Sequence, residues 1–230
     1  MLPRLLTLFS PVDWAALALF IVGWIVYSWF ADREARGAKG LRGVTHMHRI
    51  EWARQMVRRE NRITDASLVG NLMNSVSFYA NTTIYIIAGL IAVAGTLDKL
   101  MSFTGDLPFA RVQSRELVEA KVFLLTGIFI FAYFKFTWAL RQFNFLSILI
   151  GAAPPAREPS GALDPYAEKF ATVNTLAGDE FNRGIRAYYF GFAALGWFVH
   201  PGFFIAMTLL VLCVLWRRDF RSHTLRALAG

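Results

Sequence analysis

VFLLTGIFIFAYFKFTWALRQFNFLSILI, residues 122–150, is the stretch that decides the fold. At about 1.5 Å of rise per residue, a helix of ~20 mostly apolar residues already spans the ~30 Å of bilayer hydrocarbon, and this run is longer. Lys135 stands near its middle. A cation at the bilayer centre costs at least a few kcal/mol, so it has to face a partner or water inside a bundle.

Composition agrees with the run. Of 230 residues, 56% are hydrophobic, 15% aromatic and only 17% charged, which is the balance of a polytopic membrane protein and not of a soluble domain. The N-terminal run Trp14 to Phe30 has only Arg4 ahead of it and no small-x-small cleavage site, so it reads as an uncleaved anchor. Cys213 is the sole cysteine, which excludes an intrachain disulfide and a cysteine-based metal site. The net charge of +8 comes from basic residues beside the apolar runs, a pattern of membrane orientation and not of nucleic-acid binding.

Working outward from residues 122–150, further spans are expected at 13–30, 67–95, 182–199 and 203–216 within a single all-α membrane domain covering 1–230. The last two are expected as a hairpin around His200-Pro201-Gly202, because proline lacks a backbone donor and glycine tolerates left-handed geometry. Five membrane helices are therefore favoured, with four and a kinked last helix as the alternative. Nine Lys/Arg lie between Phe30 and Ser67, which marks the basic loop 31–66 as cytoplasmic. Thr96 to Ala120 balances its bases with acids and belongs outside. A hairpin then returns Arg217, Arg218, Arg221 and Arg226 to the cytoplasm, with the N-terminus outside. Within the basic loop a helix is expected over Val44 to Arg62, with Arg58, Arg59 and Arg62 near lipid phosphates. A short amphipathic helix is expected from Tyr166 to Asp179.

At 100° per residue, Asn71, Asn74, Ser75, Asn81 and Thr82 share an arc with Phe78 and Tyr85. Amides facing lipid would go unsatisfied, so this face is expected to meet another helix or a cavity. In residues 122–150 and just before them, Lys121, Lys135 and Gln142 form one stripe, while Thr126, Tyr133, Thr137, Arg141 and Asn144 form another. None of the three longest runs holds an acid beyond Asp13, so Lys135 is expected to rely on Asn74, Asn81 or backbone carbonyls, or to bind an anion. Asp179 and Glu180 read as acids at a helix start, followed by Arg183 and Arg186, with capping or lipid-phosphate binding as their alternative roles. Small-residue contacts at Ala88, Gly89 and Ala92, or at Ala187 and Gly191, suit either oligomer or intrachain packing.

His46-Met47-His48 does not face one way on a helix, and His200 is expected at the other membrane surface, so neither metal nor haem is expected. There is no GxxxxGK[ST], GxGxxG after a strand, HExxH or GxSxG, and no intramembrane carboxylate pair. Catalysis lacks an acid, base or nucleophile, so no enzyme and no cofactor are expected.

Ser75 to Thr83, Phe134 to Asn144, and Asn182 to Tyr189 through His200-Pro201 together resemble the uncharacterised membrane-protein family called domain of unknown function 599. The resemblance runs from the first span to the basic tail. It implies a bacterial inner-membrane location and a compact helical bundle, with no activity, cofactor or catalytic residue to carry over. Two functions are expected in order. The first is a non-enzymatic accessory or scaffold protein that engages anionic lipid or a membrane partner, a homo-oligomer included. The second is a small transporter or channel for an anionic or protonatable solute that uses Lys135 and the Asn71/Asn74/Asn81 face. The candidate lining is Asn74, Asn81, Lys135, Arg141, Gln142 and Arg186.

Overall fold

The computed structural model describes residues 9–36, 40–105 and 114–229, which are helical throughout apart from short connections. In chain order the helices are α1 (Pro11–Arg36), α2 (Gly40–Val57), α3 (Ile63–Ala94), α4 (Leu97–Gly105), α5 (Arg115–Gly151), α6 (Ser160–Leu195), α7 (Pro201–Arg221) and α8 (His223–Ala229), with a 3-10 turn at Gly196–Phe198. Among the described residues three stretches are long and apolar enough to cross a membrane: Pro11–Arg33, Ile63–Ala94 and Arg115–Gly151.

Local chemistry explains the helix starts. Ser10 caps α1 in a reciprocal box: the Asp13 backbone N–H donates to Ser10 Oγ at 3.3 Å, and Ser10 N–H donates back to Asp13 Oδ2 at 3.1 Å. Pro11 occupies the first helical position, where no amide donor is missed. Ser114 and Ser222 accept from the backbone of Leu117 and Leu225 in the same manner at α5 and α8. Gly40 opens α2 at φ +80°, where a Cβ would also press on the Asp219 carbonyl at 3.0 Å.

The helices pack into two compact units, and α1, α3, α5, α6 and α7 each run from one into the other. One unit comprises Met1–Phe30, Thr83–Ala132 and Ile185–Arg217. Its core is aromatic: Phe20, Phe190, Trp197 and Phe204 are almost wholly buried, and Trp24 stacks on Phe190 with centroids 5.0 Å apart. The second unit comprises Ala31–Thr82, Tyr133–Gly184 and Arg218–Gly230. Here Met56, Val57, Val69, Phe136, Leu146 and Phe170 fill the interior.

Two expectations change. The helix at 166–179 and the span starting at 182 are one helix, α6, of 36 residues or about 54 Å. Nothing between Asp179 and Arg186 breaks a helix: the acids are tolerated there, and the glycines serve close approach. A Cβ on Gly184 would overlap the buried ring of Phe136. The real break lies at the 3-10 turn and Pro201, where His200 Nδ1 accepts from the Gly202 backbone at 3.0 Å. The helix expected over 44–62 runs instead from Gly40 to Val57; α4 lies within the segment 96–120 that is expected outside.

Gly184→Ala should destabilise the protein by roughly 1–3 kcal/mol, the usual cost of overpacking against a rigid ring. Gly178→Ala should cost much less, because the atom in its way is the end of the flexible Arg49 side chain. Thermal unfolding of both variants in detergent checks the contrast, and equal midpoints would contradict it.

Candidate functional site

The second unit holds a chain of alternating charges on α1, α2, α5 and α6. Arg42 Nη2 lies 2.5 Å from Asp179 and its Nη1 lies 2.5 Å from Asp32. Arg183 Nη2 meets the other oxygen of Asp32 at 2.7 Å, and its Nη1 is bound by Glu180. Glu180 Oε2 stands 2.9 Å from Lys135 Nζ, at ion-pair distance but outside the direction of a good hydrogen bond. Three acids therefore match three bases in one connected series. Burial would lower the Arg42 pKa, yet Asp179 and Asp32 hold it above its ordinary value. Arg49, laid over the backbone at Gly178, is pulled below its ordinary value by burial, with Asp179 opposing and Arg42 adding to the effect.

This overturns the expectation that Lys135 lacks a carboxylate. Glu180 is mid-helix because α6 is continuous, and α5 and α6 run antiparallel, so that Lys135 pairs with Glu180 and Tyr166 donates to the Leu149 carbonyl at 2.7 Å. The missed signal was the acid itself, whose reading as a helix start concealed it.

On its other side Lys135 opens to a groove of about 670 Å³ lined by Phe134, Lys135, Thr137, Trp138, Leu140, Arg141 and Asn144. Arg141 is exposed there, 5.8 Å from the Phe145 ring, and meets no carboxylate among the described residues. The groove thus carries one matched and one unmatched cation on an apolar helix. A second groove, about 680 Å³, lies in the other unit along Trp24, Ile25, Phe123 and Phe131; it has no charged wall.

The remaining candidates scatter. Gln142 is 8% exposed, with Oε1 lacking a donor among the described residues; of the stripe Lys121–Lys135–Gln142, the first and last are buried and Lys135 is part-buried, with 26% of its side chain exposed. Asn71, Asn74 and Asn81 are exposed, because α3 buries the opposite side through Asp65, Val69, Val76, Ala80 and Thr83. They are not part of a lining with Lys135. Arg186 belongs to the other unit and is 1% exposed, which removes it from contact with a surface phosphate. Ala187 and Gly191 are likewise buried, and Gly191 lies against Phe129, so their spacing serves intrachain packing.

The basic residues assigned to lipid phosphates are largely engaged elsewhere. Arg62 donates to four backbone carbonyls, those of Met56, Val57, Ala153 and Pro154. Arg59 binds Asp65 at 2.6 Å, and Trp52 Nε1 donates to the same carboxylate oxygen at 2.7 Å. Arg58 keeps half of its side chain exposed and meets Asp164 at 3.8 Å. Sequence reasoning also passed over Asn174, which is 1% exposed with neither amide atom bonded among the described residues. In the other unit Lys121 donates to the Trp197 carbonyl at 2.6 Å, while Trp197 Nε1 donates to Asp13 at 2.8 Å. Among the described residues no three His, Cys, Asp or Glu come together as a metal site.

A family model described as protein of unknown function, DUF599, matches residues 15–224. No curated protein and no solved structure matches the chain.

Proposed function

The chain belongs to the DUF599 family, and from its own side chains we propose that it is a non-enzymatic membrane protein that binds an anionic lipid headgroup in the groove of α5. One observation carries this reading. Lys135 is matched by Glu180 at the back of the groove, whereas Arg141 in the same groove meets no acid among the described residues, which leaves a net positive wall beside apolar Phe134, Trp138 and Leu140. An anion with acyl chains satisfies both parts of that surface: the guanidinium and Asn144 take phosphate oxygens, and the rings take hydrocarbon. The ion series behind Lys135 favours a binding wall over a conducting path, because every charge in it is already paired.

In this reading the chain lies in the bacterial inner membrane and crosses five times, the fourth and fifth crossings being the C-terminal part of α6 and α7. The basic loop and the C-terminus are cytoplasmic. Accessibility of single cysteines introduced at either end to an impermeant thiol reagent, on intact cells, checks that orientation.

The binding test uses the purified protein titrated with phosphatidylglycerol and with phosphatidylcholine and read by native mass spectrometry. Arg141→Gln should weaken phosphatidylglycerol binding about tenfold, the equivalent of roughly 1.4 kcal/mol for one charge-assisted contact, and leave phosphatidylcholine unchanged. Equal loss for both lipids, or none for either, would overturn the reading. Anion flux through proteoliposomes that disappears in Lys135→Met would favour a transporter instead.

A further inference from the structure

We propose that α3 pairs in the membrane with α3 of a second copy of this chain through the face that carries Asn71, Asn74, Phe78 and Asn81. The helix runs Ile63–Ala94, and only 17% of its apolar window is buried inside this chain. Its inward side is the arc of Val69, Val76 and Ala80. At 100° per residue, the three asparagines and Phe78 fall on the opposite side, where all are exposed and Phe78 is 67% so. Hydroxyls on this face are satisfied locally: Ser75 donates to the Asn71 carbonyl at 3.1 Å and Thr82 to the Phe78 carbonyl at 2.8 Å. The three side-chain amides make no hydrogen bond among the described residues.

An amide in hydrocarbon without a partner is costly, so this face needs a polar occupant. Neither an acidic nor a basic partner is indicated, because the face is uncharged. Each asparagine offers both donors and acceptors, so an identical amide is its complement. Symmetry supplies that amide. Two copies inserted in the same sense place their α3 helices parallel, and a two-fold axis along the membrane normal sets Asn74 opposite Asn74 and Asn81 opposite Asn81. The seven-residue intervals 71–78 and 74–81 keep such a seam in register over about 10 Å of helix per repeat. Asparagine at one seam position is a known device for fixing register and a two-stranded state. The surface is independent of the α5 groove, so either proposal stands without the other.

The test places single cysteines in a Cys213→Ser background and oxidises proteoliposomes reconstituted from the purified protein alone. Asn74→Cys should give a disulfide-linked dimer, and Leu72→Cys, exposed on another side of α3, should give several-fold less. In parallel, energy transfer between two labelled copies in bilayers measures association as lipid is added. Asn71→Ala with Asn74→Ala and Asn81→Ala should raise the dissociation constant at least tenfold. If that variant fails to fold, the cysteine pair decides. A wild-type chain that stays monomeric at every lipid ratio, equal cross-linking at positions 72 and 74, or a folded triple variant that dimerises normally would each overturn the proposal.

Discussion

Asp32→Asn lowers the stability of the protein by about 3 kcal/mol, the low end of the range for breaking one side of a buried ion pair. The low end applies because the Asp32 side chain keeps 23% of its surface in contact with solvent, and Arg183 keeps 36%. Asp32 receives two guanidiniums, one on each oxygen. Asparagine has the same shape but accepts on one side only, and its amide then confronts a donor on the other. The loss of charge also leaves Arg42 with Asp179 and Arg183 with Glu180, so two bases share less negative charge than before. Urea unfolding in detergent micelles measures the shift. Arg157→Gln is the control, because that ion pair with Glu60 is 89% and 76% exposed and should change stability by less than about 0.5 kcal/mol. A midpoint for Asp32→Asn equal to that of the control would remove the ion series as a stabilising element.

Arg62→Ala is expected to have an effect of similar size, roughly 3 kcal/mol. The guanidinium joins the last carbonyls of α2, Met56 and Val57, to the carbonyls of Ala153 and Pro154 just past the end of α5. Helix C-termini leave carbonyls unpaired and carry partial negative charge, so one cation serves two helix ends. Hydrogen bonds from a charged donor contribute about 1.5–3 kcal/mol each, and four that share one group do not add. Arg62→Lys keeps the charge without the planar fork and should fall between wild type and alanine. The same variants separate this role from the expected lipid contact. Stability should fall while affinity for anionic liposomes holds, and the reverse result would restore Arg62 to the lipid surface.

The contrast between these two residues shows how far the sequence was legible. Apolar length identified the three helices long enough to cross a membrane, around residues 13–30, 67–95 and 122–150, because hydrocarbon thickness is a one-dimensional constraint that a single run either meets or fails. His200-Pro201-Gly202 announced the break before α7 because the missing donor belongs to proline itself. Lys135 was legible as a cation in an apolar run that needs a partner or water. Its partner was not, since Glu180 lies 45 residues away and is brought alongside only by the antiparallel register of α5 and α6. The asparagine face had the opposite fate: its periodicity was plain, but which side of α3 the chain would bury was not.

By itself the sequence determined helical character throughout and three helices long and apolar enough to cross a membrane, and it marked the polar residues on them that need partners. Those outcomes depend on local composition, on periodicity and on the solvent, all of which are written along the chain. Tertiary structure decided which charges neutralise one another, that Arg62 serves backbone carbonyls, and that Arg141 and the asparagines remain turned outward. Pairing of this kind depends on helix register and on which face is buried, and residues far apart in the chain acquire a common neighbourhood only when the helices pack.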